Sequence, residues 1–111
     1  ALSGRPRRLP RPSRSRADAV RRDPVTPEMA EHVRSRDNFS CIGPVVGMPG
    51  QCEGKVEFDH ILNGGMSYRG PSTALNLASL CAYVHHPMKG ADANRWRPLL
   101  VAFVARMEGV R

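Results

Sequence analysis

Three cysteines and a histidine doublet limit this chain more than any other feature does. Cys41 and Cys52 bracket the stretch "CIGPVVGMPGQC", and Cys81 opens "CAYVHHPMK", in which His85 and His86 follow the thiol by four and five positions. Three thiols leave one unpaired if a disulfide forms, and in a reducing compartment scattered cysteines and histidines more often mark metal. Cys41, Cys52, Cys81 and one doublet histidine make Cys3His, a common tetrahedral zinc donor set in which the thiolates supply most of the binding. The first pair departs from a short knuckle, with ten residues between its cysteines. Cys81-x3-His85 has the closer spacing. Adjacent residues project to different sides of a helix or strand, so a single ion rarely takes both imidazoles. If His85 closes the staple, His86 points elsewhere.

A staple is expected on grounds of size. Only 5% of the chain is aromatic, and units of the length of the part able to fold, residues 26–111, often lack enough core to stand alone. The first 25 residues read as a disordered basic arm. Arg5, Arg7, Arg8, Arg11, Arg14, Arg16, Arg21 and Arg22 stand there among prolines and serines with Asp18 as the lone acid up to Arg22. Such a segment cannot bury enough apolar surface to offset its chain entropy. With a net charge of +7, the chain favours a polyanionic partner, nucleic acid first, and an arginine-rich arm holds phosphates without reading bases. The longest apolar run, "LLVAFVA", is too short to span a bilayer, and no apolar stretch of a signal peptide is seen. A soluble, intracellular protein without a membrane partner is expected.

Thr26 and Pro27 predict the start of a helix that frays near Asp37–Asn38. "KVEFDHI" alternates, with Val56 and Phe58 on one face and Glu57 and Asp59 on the other, as a half-exposed strand does. A glycine-rich loop and the short apolar run "NLASLC" follow. Trp96, Leu99, Leu100, Phe103, Val104 and Met107 then recur at helical spacing, with Pro98 tolerable only in the first turn. The layout is α+β: helix, cysteine loop, two strands around a loop, short helix, long helix. His32 reads as exposed and Trp96 as core.

The order of parts carries a further signal. "FDH", "NLASLC" and "HHPMK" together resemble the HNH endonucleases, particularly small phage-type members with zinc knuckles, over about Arg36 to Lys89. "RSRDNFSC" looks like the run before the family's first cysteine, and "RWRPLLVAF" like a trailing helix of some phage members. The resemblance implies a ββα-metal finger stapled by zinc and flanked by an N-terminal helix and a C-terminal amphipathic helix. It implies Asp59 and His86 as ligands of a catalytic Mg2+ or Mn2+, His60 as general base, and Asn76 as the residue that braces the loop and orients His60. His85 would stand in place of a knuckle cysteine, shifted by one residue; the other register makes His85 catalytic and His86 structural. The long Cys41–Cys52 loop is a second departure from the family.

An imidazole suits proton abstraction near neutral pH, and a carboxylate with an imidazole suits a divalent cation. Lys55, Arg69, Lys89, Arg95 and Arg97 are expected as phosphate contacts. The implied activity is hydrolysis of phosphodiester bonds in DNA, double-stranded in the first instance, within the host cytoplasm if phage-encoded, alongside a phage packaging complex or another protein partner. Two other readings stand beside it: a zinc-finger nucleic-acid-binding module without catalysis, and an RNA target.

Overall fold

Thr26 opens the first helix with its side chain. Its Oγ1 accepts from the Met29 amide at 3.1 Å, Pro27 occupies the first turn, and helix α1 runs Pro27–Arg36. These residues belong to a computed structural model that describes residues 23–63 and 70–110. The remaining elements are strand β1 (Val56–His60), strand β2 (Leu77–Cys81), helix α2 (His85–Ala91) and helix α3 (Ala93–Met107), with 3-10 turns at Pro44–Val46 and Ala74–Asn76. The strands pair antiparallel, Val56 opposite Cys81 and His60 opposite Leu77. The molecule is therefore a small α+β fold, as expected. The arm assigned to residues 1–25 lies outside the described residues up to Arg22. Asp23, however, is tied down: its carboxylate accepts from the Ser72 amide and its carbonyl from the Ser72 hydroxyl, both at 2.8 Å.

A two-stranded sheet leaves two edges, and the chain treats them differently. The outer edge of β2 is covered by the segment that follows α1. The Ser79 amide donates to the Asp37 carboxylate at 3.0 Å, the Ser79 carbonyl accepts from the Ile42 amide at 2.8 Å, and the Leu77 carbonyl accepts from the Arg36 guanidinium. Arg36 grips Asp37 with two parallel bonds of 2.8 and 3.0 Å, and also reaches the Ala74 carbonyl and Glu108. Both side chains are almost fully buried. Edge groups satisfied in this way cannot recruit another strand. Among the described residues, no strand pairs with the outer edge of β1.

The core lies on the other side of β2. Ile42, Met48, Ile61, Ala78 and Leu80 meet Trp96, Leu100, Phe103 and Val104 of α3. The apolar stripe of α3 is narrower than its sequence suggests, since Leu99 and Met107 are exposed. Pro98 sits in the second turn and not the first, where it removes the i→i−4 bond to the Asn94 carbonyl. Trp96 is core, as expected. His32 is exposed but not solitary: its Nε2 lies 2.8 Å from Glu108.

Strand β1 reverses one expectation. Val56, on the apolar face, is exposed, whereas Asp59, on the polar face, is buried at 5%. The reason is helix α2, which brings Lys89 and His86 against the carboxylate face. That inversion places the polar residues of β1 where chemistry can use them.

Candidate metal centres and a groove along the first strand

Cys41, Cys52, Cys81 and His85 converge, their four ligand atoms all within 4.8 Å of one another. The three sulfurs lie 3.4, 3.6 and 3.3 Å from His85 Nδ1. A tetrahedral ion with Zn–S and Zn–N bonds of roughly 2.3 and 2.0 Å separates sulfur from nitrogen by about 3.5 Å, so the group is compatible with structural zinc. The rest of the imidazole supports this. His85 Nε2 is 2.9 Å from the Pro49 carbonyl, which can only accept, so Nε2 carries the hydrogen and Nδ1 turns its lone pair to the thiols. The amides of Gly43 and His85 point at the Cys41 and Cys81 sulfurs, at 3.4 and 3.3 Å. Gly43 has a steric duty here, because a Cβ on it would stand 2.7 Å from His85 Cγ.

The thiols differ sharply. Burial, and then the neighbouring sulfurs, push Cys41 up to about 12 despite amide donors. Burial also opposes ionisation of Cys81, but the backbone of His85, Glu53 and Val84 outweighs it and draws that thiol down to about 6. Crowded sulfurs of this kind ionise together only around a cation, which favours metal over free thiols.

The long Cys41–Cys52 loop closes because the Pro44–Val46 turn folds it back, and Gly47 and Gly50 take left-handed φ values of 95° and 92°.

His86 turns away from this cluster, as adjacent helical residues must. Its Nδ1 is 2.7 Å from Glu57 Oε1, and its Nε2 is 3.3 Å from Asp59 Oδ1. The bond to Asp59 first, and that to Glu57 next, raise its pKa above the usual 6.5 against the effect of burial. The 3.3 Å between Asp59 Oδ1 and His86 Nε2 is that of an ion pair, and it is also close to the ~3 Å between two cis ligands of an octahedral cation with bonds of roughly 2.1 Å. Asp59 Oδ2 lies 3.2 Å from Lys89 Nζ, in a charge contact too poorly aligned to count as a hydrogen bond. His60 ends β1. Its Nε2 is 2.9 Å from Ser72 Oγ, whose one hydrogen goes to the Asp23 carbonyl. His60 is therefore the donor in that contact.

Asn76 braces the segment after β1 from three directions. Its Oδ1 accepts from the Leu62 amide at 2.8 Å, while Nδ2 donates to the Leu62 and Pro71 carbonyls, each at 3.0 Å. Gly70 makes room for this clasp, since a Cβ there would run into the Leu62 carbonyl.

The expected phosphate contacts fare unevenly. Lys55 is exposed and lines a groove of about 790 Å3 along β1, together with Glu57, Asp59, His60 and His86. Lys89 does not belong among them. It is 4% exposed, and its ammonium is spent on Asp59 and on the His60 carbonyl at 3.1 Å, because α2 packs its lysine under the strand. Arg97 reaches the Ile61 carbonyl at 3.2 Å, and Arg95 stacks over Trp96 at 4.6 Å, away from the groove lining. Arg69 lies outside the described residues, as does the Gly64–Gly65 pair. Sequence reasoning missed Glu57, Arg34 and Phe39. Arg34 lines the groove and covers the Phe58 ring at 5.2 Å; Phe39, 62% exposed with φ 55°, forms its rim. Strand parity was the available signal for Glu57, two residues from Asp59 and thus on the same face.

No protein-family model matches this chain, and no curated protein or solved structure was found to be similar to it. Among the described residues no helix is long and apolar enough to cross a membrane.

Proposed function

We propose that this chain is a metal-dependent DNA endonuclease of the HNH type, stapled by one zinc ion at Cys41, Cys52, Cys81 and His85. The observation that carries the reading is the approach of Asp59 Oδ1 to His86 Nε2, 3.3 Å apart in a groove that His60 also lines. The succession of two antiparallel strands and helix α2 fits a ββα-metal finger. Asp59 and His86 would hold Mg2+ or Mn2+; when bound, such an ion neutralises charge on the phosphoryl group and the leaving oxygen. His60 takes the proton of the attacking water, a role an imidazole fills near neutral pH. Ser72 holds that ring in orientation, and Asn76 fixes the segment that follows it. Lys55 and Arg34 meet the phosphates of double-stranded DNA, and the basic arm adds sequence-independent affinity.

The test is incubation of supercoiled plasmid with the protein and Mg2+ or Mn2+, wild type beside His60→Ala. Wild type should nick, and the variant should lose a factor of roughly 100 to 10,000, the usual worth of a general base. Equal nicking by both removes His60 from the mechanism. A non-catalytic zinc-finger binding module is the second reading. It is favoured by the Cys3His group being the one cluster of three or more potential ligands among the described residues, and by the Lys89 contact that gives Asp59 a structural role without a cation. DNA binding without cleavage across several divalent metals would establish it.

A further inference from the structure

Glu57 stands on the same face of β1 as Asp59, and its carboxylate is half-exposed at the groove. Its Oε1 lies 2.7 Å from His86 Nδ1, within the range of a charge-assisted bond. On the far side of the same ring, Nε2 faces Asp59 Oδ1 at 3.3 Å. A neutral imidazole carries one hydrogen, and both neighbours are acceptors. If the hydrogen sits on Nδ1, Glu57 receives it and Nε2 presents a lone pair beside the Asp59 oxygen, which is a pair of ligand atoms waiting for a cation. If it sits on Nε2, it bonds Asp59 and masks both ligands at once. The contact to Glu57 has the geometry of a hydrogen bond, whereas that to Asp59 is only an ion pair, and this decides between them.

We propose that Glu57 is a positioning residue that holds His86 in the tautomer protonated at Nδ1, so that Nε2 and Asp59 Oδ1 together are available to a divalent cation. The consequence for catalysis rests on the nuclease reading; the tautomer does not. A carboxylate behind a ligating imidazole sets both ring orientation and basicity, and loss of such a partner costs about 10–100-fold in metal affinity. Glu57 is not itself placed to share the ion, since it occupies the opposite nitrogen. Helix α2 and strand β1 supply the other charged groups around the ring, Asp59 and Lys89, and the ammonium of Lys89 already faces the far oxygen of Asp59.

The experiment uses zinc-loaded full chain in three forms: wild type, Glu57→Gln and Glu57→Ala. Nitrogen–proton correlation spectra of the His86 ring, recorded where the ring is neutral and no other metal is added, should show the hydrogen on Nδ1 in wild type. Glu57→Gln, whose amide oxygen still accepts, should keep it there. Glu57→Ala should move it to Nε2 and weaken Mn2+ binding about 10–100-fold, with Glu57→Gln retaining most of the affinity and zinc content equal in all three. A wild-type ring protonated on Nε2, or Mn2+ affinity unchanged in Glu57→Ala, overturns the proposal. If the spectra and Mn2+ titrations behave as expected while plasmid stays intact, the positioning role stands and the nuclease reading falls. If plasmid is cut but the tautomer is the other one, only the positioning role falls.

Discussion

Replacing Asp37 by alanine should be among the most damaging single changes in this protein, although Asp37 touches neither the thiol cluster nor the Asp59–His86 pair. The carboxylate is fully buried and receives three bonds, two from Arg36 and one from the Ser79 amide. Truncating one member of a buried pair costs about 3–5 kcal/mol because it leaves the other charge stranded. Arg36 is only partly stranded, since Glu108 at 3.2 Å and the Ala74 and Leu77 carbonyls remain, which argues for the low end. The orphaned Ser79 amide adds about 1–3 kcal/mol, overlapping with the first term, so a loss of ~3–4 kcal/mol is expected. Asp37→Asn keeps one acceptor oxygen for Ser79 but loses the charge and turns the other oxygen into a donor against the Arg36 Nε–H, so it should cost less than alanine but remain clearly destabilising. Equilibrium urea unfolding of the zinc-loaded protein measures both. With a slope of roughly 1–2 kcal/mol per molar, the alanine midpoint should fall by about 2 M. A loss below about 1 kcal/mol for Asp37→Ala, with zinc content unchanged, would refute the claim that the edge of β2 depends on this clasp.

Other outcomes follow from the two centres. Cys52→Ser should lower both zinc content by elemental analysis and melting temperature; zinc content equal to wild type would take Cys52 off the ligand set. Gly43→Ala forces a Cβ against His85 Cγ and should weaken zinc retention against a chelator at least tenfold, while Gly90→Ala, where a Cβ meets nothing, should leave it unchanged. Arg34→Ala with Lys55→Ala should weaken binding to duplex DNA and flatten its salt dependence by about two charges, read by fluorescence anisotropy across a salt series. In protein with zinc but no other divalent ion, the raised pKa of His86 means that protonated His86 stabilises the fold fully below pH 6.5. That contribution is lost as pH rises through the folded pKa, so the urea midpoint should drop across this window in wild type and not in His86→Gln. The ring-proton shift of His86 reports the titration directly.

Much of the architecture is legible along the chain because local chemistry repeats at short range. Thr26 and Pro27 mark a helix start wherever they occur before a polar turn, and the spacing of Trp96, Leu100, Phe103 and Val104 declares a buried stripe. The thiol cluster is legible from residue type, even though its first loop is long, because thiolates and imidazole share few other uses in a thin core. The polar face of β1 is not. Alternation says that Val56 and Phe58 differ from Glu57 and Asp59, but which face lies inward depends on Lys89 and His86 arriving from α2, some thirty positions later. Lys89 misleads for the same reason: a lone lysine reads as surface until a buried carboxylate is known to await it. Arg36 and Asp37 are adjacent, so their pairing is plain, but their hold on the far edge of β2 is a property of tertiary packing.

His85 and His86 share a peptide bond and serve opposite sides of one helical turn. The protein thus has no seam between the part that keeps it folded and the part offered to the groove. If the thiols hold an ion, stripping it should release the first turn of α2, and with it the imidazole facing Asp59, so a chelator would disturb the groove without ever entering it. Anyone transplanting the groove into another scaffold would have to carry the cysteines along.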